Sequence, residues 1–148
     1  MELNSRRWMV CVTSWLLLSA CINSPTRHQV ESMRLARQAD LNYQNGRFDI
    51  AGKQYQTLVE SNPGFALGHV RLGVIAYHEG NSPAALSHFE SALNTDPQNE
   101  QARYNLAMLH LNEATALLDD YANHCVSGAN RDHVLVLLSE LKAFGAKQ

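Results

Sequence analysis

A stretch of 34 residues in the middle of this chain, Ala66 to Asn99, repeats in outline the stretch before it. Moved back by 34 positions, Gly80 falls on Gly46, Ala85 on Ala51, Phe89 on Tyr55, Pro97 on Pro63 and Tyr77 on Tyr43. Gly73 falls on Ala39, and one further shift forward carries Leu72 onto Leu106 and Gly73 onto Ala107. A period of this length marks an array of supersecondary units. None of them can bury its apolar face alone, so each must stack on a neighbour.

The unit itself reads as two helices. From Leu67 to Tyr77 the apolar residues Leu67, Val70, Val74 and Tyr77 recur at helical spacing without a proline. Gly80, Asn81 and Ser82 interrupt the pattern, with Ser82 expected as the cap of the next helix and Pro83 at its first position. The second helix carries Ala85, Leu86, Phe89, Ala92 and Leu93 on one stripe, and Asp96-Pro97 ends it. Gly73 and Ala85 are small where two antiparallel helices must approach, while Phe89 supplies bulk between units.

Leu72, Gly73, Gly80, Ala85, Phe89, Ala92 and Pro97 together resemble the pattern of the tetratricopeptide repeat. The unit before it matches through Ala39, Gly46, Ala51, Tyr55 and Pro63, with Gln38 and Leu58 as substitutions. Both units show Asn42 and Ala76 where that family usually has an aromatic residue, and carry Tyr43 and Tyr77 one position later. The resemblance implies an all-α fold, a short superhelix of antiparallel helix pairs, with one unit over residues 28–65 and a second over 66–99. A third begins at residue 100 with Ala102, Leu106 and Ala107 but lacks its turn, since no glycine or proline occurs between Gln98 and Ser127. The spacing of Ala107, Leu111, Ala114, Leu118, Tyr121 and Cys125 predicts one long helix over residues 100–127. A final helix is expected over residues 131–145, with Val134, Leu137, Leu138, Leu141 and Phe144 on the face that caps the stack or receives a partner.

The chain opens with Arg6 and Arg7 before an apolar run from Trp8 to Leu18, too short to span a bilayer but suited to a secretory signal. Leu18-Ser19-Ala20-Cys21 resembles the lipobox of bacterial lipoproteins. That resemblance implies a signal peptide over residues 1–20, lipid attachment at Cys21 and a polar tether over residues 21–27. Ile22, rather than an aspartate, follows the anchor, which by the same family rule implies the outer membrane, facing the periplasm. The formal charge of −2 for the whole chain leaves no basic surplus to neutralise a phosphate backbone, so nucleic acid is not an expected partner. Of three cysteines, Cys11 leaves with the signal and Cys21 takes lipid. Cys125 is then a small buried apolar residue or an intermolecular thiol.

Seven histidines invite a catalytic or metal reading, yet no H-x-x-x-H, H-E-x-x-H or C-x-x-C occurs, nor any G-x-S-x-G or phosphate-binding glycine loop. The nearest cluster is His124, Cys125 and His133, which lacks a convincing fourth ligand. His88 and Glu90 read as solvated surface. No enzyme, cofactor or metal site is expected.

What remains is a binding surface. In the resembled family the inner faces of the first helices form a concave groove. Its positions fall here on Met33, Ala36, Asp40, Tyr43 and Gln44, on Leu67, Val70, Val74, Tyr77 and His78, and on Gln101, Tyr104, Met108, Leu111 and Asn112. The core of the expected peptide-binding groove is Tyr43, Gln44, Val70, Val74, Tyr77, His78, Tyr104 and Met108. Tyrosines among valine and methionine give large rigid contact area with a hydroxyl for orientation. The expected function is therefore a protein–protein interaction adaptor. By analogy with lipidated repeat proteins of pilus and secretion machineries, including the tight-adherence (Flp) pilus lipoproteins and the pilotins of type IV pilus secretins, its partner would be a secretin or pilus subunit. An adaptor for cell-wall or outer-membrane biogenesis enzymes is the second reading, and an envelope enzyme using His124 and His133 the third.

Overall fold

The computed structural model describes residues 26–124 and 128–145. Those residues form six helices and no strand: α1 (Arg27–Gln44), α2 (Phe48–Ser61), α3 (Ala66–His78), α4 (Ser82–Thr95), α5 (Glu100–His124) and α6 (Ala129–Gly145). Residues 1–25, which hold the expected signal, Cys21 and most of the tether, lie outside the description, as does Cys125.

The 34-residue period reappears in the turns, atom for atom. After α1, the amide of Gly46 donates to Tyr43 O (3.0 Å) and that of Arg47 to Asn42 O (2.8 Å). After α3, Gly80 donates to Tyr77 O (3.0 Å) and Asn81 to Ala76 O (2.9 Å). This pair of bonds closes a helix only if the glycine adopts a left-handed conformation, and Gly46 (φ 71°) and Gly80 (φ 76°) do. The turns between units match likewise: Phe65 N donates to Asn62 O and Asn99 N to Asp96 O, each at 3.0 Å.

Two local expectations shift by a residue or two. Thr26 forms a capping box with Gln29, so α1 starts at Arg27 and the last residues of the expected tether belong to the helix and its cap. The cap of α4 is Asn81, whose side chain accepts the Ala84 amide (3.2 Å). Ser82 is therefore already helical.

Packing follows the repeat. Ala39, Ala51, Tyr55, Leu58, Val59, Leu72 and Ile75 make a core shared by α1, α2 and α3, so the second unit closes the first. Ala76, Ala85, Phe89 and Leu109 do the same for α3, α4 and α5. Gly73 is where the chain can least bear a side chain, since an added Cβ would sit 2.5 Å from the Phe89 ring. Gly73 and the buried Phe89 form a lock between α3 and α4 inside one unit, and Phe89 also shares a core with Leu109 of α5, which is the bulk between units that the sequence pattern implied. Asn42 and Ala76 are also buried, at the positions where aromatic residues are usual. Asn42 donates to Gln54 Oε1 (2.9 Å), and the tyrosines one position later are less buried, Tyr43 packing at the edge of the first core and Tyr77 exposed.

α5 is one helix of 25 residues, as expected from its missing turn. The apolar stripe expected along it is corrected: Ala107 and Ala114 are exposed, while Ala102, Leu109 and Ala122 are buried. The helix serves two partners on two faces. Its first half lies against α3 and α4, its second against α6, and a single straight stripe cannot face both. α6 packs on α5 alone among the described elements, through Leu138 with Val134 and Leu141 beside it, and leaves Leu137 and Phe144 exposed. It therefore covers the overhang of α5 rather than the open side of the whole stack.

Candidate functional site

A concave cavity of about 380 Å³ lies between α3 and α5. Val74, Tyr77 and His78 reach it from the last turns of α3. Tyr104, Asn105, Met108, Leu109 and Asn112 reach it from α5, at the i, i+4 and i+8 spacing that puts Tyr104, Met108 and Asn112 on one helix face. Phe89 forms part of the floor, and Gly145, at the end of α6, closes one side. Five of the eight residues expected to form the groove, Val74, Tyr77, His78, Tyr104 and Met108, thus meet around one cavity.

The remaining three do not. Val70 is 0% exposed and packs with Ala92 and Ala102, two alanines from α4 and α5 whose small size leaves a space that a valine fills. It is a core residue, and the groove assignment is corrected. Tyr43 lies half-buried at the junction of the first two units, its ring edge-on to Phe48 (5.3 Å) and Tyr55 (6.4 Å), with the Arg71 guanidinium 4.5 Å above its face. Gln44 is exposed at the end of α1, away from the cavity. Met33 and Ala36 line a separate, larger cleft of about 560 Å³ between the start of α1 and the end of α2, with Leu58 and Phe65 opposite.

The cavity walls are held from behind. Asn112 Nδ2 donates to the Tyr77 hydroxyl, tying α5 to α3 across the cavity. His78 stacks on Phe48 (5.5 Å, interplanar 11°), which fixes the end of α3 against α2. Tyr77 and Tyr104 remain 40% and 54% exposed, far more than core aromatics such as Tyr55. Among the described residues, no arginine, lysine, aspartate or glutamate lines the cavity. The charged groups of this face sit one unit away, where Arg71 lies 3.8 Å from Asp40, and Asp40 also accepts the Tyr55 hydroxyl (2.5 Å). Burial, and next the bond to the Asp40 carboxylate, push the Tyr55 hydroxyl well above the ordinary phenol range, so it stays a donor at any physiological pH.

The histidines set apart in the sequence are placed as follows. His124, at the end of α5, is exposed and bonds back to Asp120 O (2.8 Å). His133 is exposed on α6, and Cys125 between them is outside the described residues. His88 corrects its reading as solvated surface. It is half-buried, its ring centroid is 5.8 Å from that of His69, and burial, then the neighbouring His69, lower its pKa below 6.5. No single-helix spacing signals this pair. Closing the hairpin at Gly80 would have found it, because the turn lays the start of α3 beside the second half of α4. The amide pair Asn105 and Asn112 also escaped the groove's core list, since polar residues on an extended helix carry no apolar periodicity.

These observations define an all-α tetratricopeptide-repeat-type superhelix with an uncharged, aromatic concave cavity, and the comparisons agree. Residues 36–100 match the family model described as tetratricopeptide repeat. A solved structure of the type III secretion translocator chaperone SycD of Yersinia enterocolitica is similar to this chain with a TM-score of 0.54 at 18% identity. The match covers 86% of this chain and 92% of that one. No curated protein matches.

Proposed function

We propose that this chain is a non-enzymatic adaptor that captures a segment of another protein in the cavity between α3 and α5. The observation that carries this reading is the pairing of two half-exposed tyrosines, Tyr77 and Tyr104, with Val74 and Met108 on a wall braced by the Asn112–Tyr77 bond. Braced aromatics offer contact area at little entropic cost, which is the property of interface hot spots. The described lining carries no formal charge, which favours an uncharged apolar segment over an acidic tail, because a buried carboxylate would find no cation among those residues. The structurally similar SycD is a type III secretion translocator chaperone, and this supports the reading by analogy of fold alone.

The finer assignment rests on the leader. With Arg6, Arg7, the apolar run to Leu18 and the Leu18–Cys21 quartet, the mature adaptor would be lipidated at Cys21 and held on the outer membrane, facing the periplasm. There it would assist assembly of a pilus or secretion apparatus, with a secretin or pilus subunit as partner. The test is a crosslinking pull-down from intact envelopes with the wild type and a Tyr77→Ala/Tyr104→Ala variant. Recovery of a secretin or pilus component by the wild type alone is expected. Recovery of a cell-wall enzyme instead would replace the assembly role with the biogenesis role. Equal recovery by both proteins would remove the site from the cavity.

A further inference from the structure

His69, in the first turn of α3, and His88, in the middle of α4, are brought together by the Gly80 turn, with ring centroids 5.8 Å apart and planes tilted by 37°. The Nε2 of His69 lies 3.3 Å from the Pro63 carbonyl, which fixes the tautomer: that nitrogen carries the proton and donates it, so Nδ1 presents a lone pair. Nδ1 is buried and has no hydrogen-bond partner among the described residues. A buried, unsatisfied acceptor is costly and calls for an explanation. A histidine whose other nitrogen is held by a backbone carbonyl is also the standard arrangement of an imidazole set to bind a metal.

We infer that His69 and His88 form a two-imidazole site for a first-row divalent ion of the zinc or copper type, clamping α3 to α4. Several features carry this. With metal–nitrogen bonds of about 2.0–2.1 Å, two rings sharing one ion have centroids roughly 5–6 Å apart, which matches the observed separation. His88 is only half-buried, so its open side leaves room for water to complete the coordination. Imidazole-only donors select zinc, copper or nickel against magnesium and calcium, which require oxygen ligands. Two protein donors make the site weak, so binding in the micromolar range is expected.

The test titrates ZnCl2 into the untagged protein at pH 7.4 by calorimetry, with MgCl2 as control, and repeats the titration on His69→Gln, His88→Gln and a His124→Gln/His133→Gln double variant. One equivalent of zinc, a rise of a few degrees in Tm at saturation, loss of both in either of the first two variants and retention in the third are expected. Absence of binding by the wild type, or binding that survives His69→Gln and His88→Gln, overturns the inference. So does loss in the double variant, which would move the ion to the end of α5. Should a variant fail to fold, the wild type loaded with Cu2+ decides. Electron paramagnetic resonance must show hyperfine coupling from two imidazole nitrogens, and coupling to fewer than two overturns the site.

Discussion

At the scale of single residues, the lock between Gly73 and Phe89 is the most sharply defined feature. An added methyl at position 73 would overlap the Phe89 ring, and the ring is too buried to move away freely. Gly73→Ala should destabilise the fold by about 1–3 kcal/mol, the usual cost of overpacking, read as a lower denaturant midpoint. Adding Phe89→Leu in the same chain should recover part of that loss. Tyr55 should behave differently. Tyr55→Phe keeps the ring but leaves Asp40 without its buried donor, at a cost of about 1–3 kcal/mol, while Arg71 remains beside the carboxylate. His88 carries a pH prediction with a definite sign. Its folded pKa lies below its unfolded value, so the unfolded chain binds the extra proton. Its contribution is complete above pH 6.5 and is lost as the pH falls below that value. Tm should fall on acidification from pH 7.5 to 5.5, and less steeply in His88→Gln; equal slopes would refute the assignment. The sequence revealed the lock because small and large residues recur at a fixed period. It hid Val70, because a position rule on one helix knows nothing of Ala92 and Ala102 on two others.

At the scale of elements, the first four helices were legible for a simple reason. Gly46, Gly80, Pro63 and Pro97 punctuate them, and those signals act through local sterics that no tertiary contact overrides. α5 was legible in length but not in rotation. The stripe expected along it passes through Ala107 and Ala114, yet the helix turns one face to α3 and α4 and another to α6. Leu109, on the first of these faces, is 1% exposed among Ala76, Ala85 and Phe89, so Leu109→Ala should cost about 2–5 kcal/mol. Ala114→Ser, at an exposed position, should stay within about 0.5 kcal/mol of the wild type. Among the described elements α6 touches only α5, and its amides should exchange with solvent faster than those of α3 and α4, which are packed on both sides. Equal protection across the three helices would show that α6 is integral to the stack.

At the scale of the whole molecule, the fold is a short repeat array whose concave side has two chemistries. An ionic and aromatic junction around Asp40, Tyr43 and Arg71 lies between the first two units, and an uncharged cavity around Tyr77 and Tyr104 between the second and third. The cavity was largely legible in the sequence, through five of its walls, because helix-face positions follow from the repeat register. Gly145 was not, since only the path of α6 brings the end of the chain there. No helix among the described residues is long and apolar enough to cross a membrane. The membrane attachment proposed above is the lipid at Cys21. Cys21→Ser should move the protein from the membrane to the soluble fraction on fractionation. The most direct test of the central claim is photocrosslinking in living cells, with a photoreactive amino acid at Met108 inside the cavity and, separately, at Ala114 outside it. A defined partner adduct from position 108 alone, abolished by Tyr77→Ala, is the expected result. An adduct from position 114 alone, or one from position 108 unaffected by Tyr77→Ala, would contradict a partner held in the cavity.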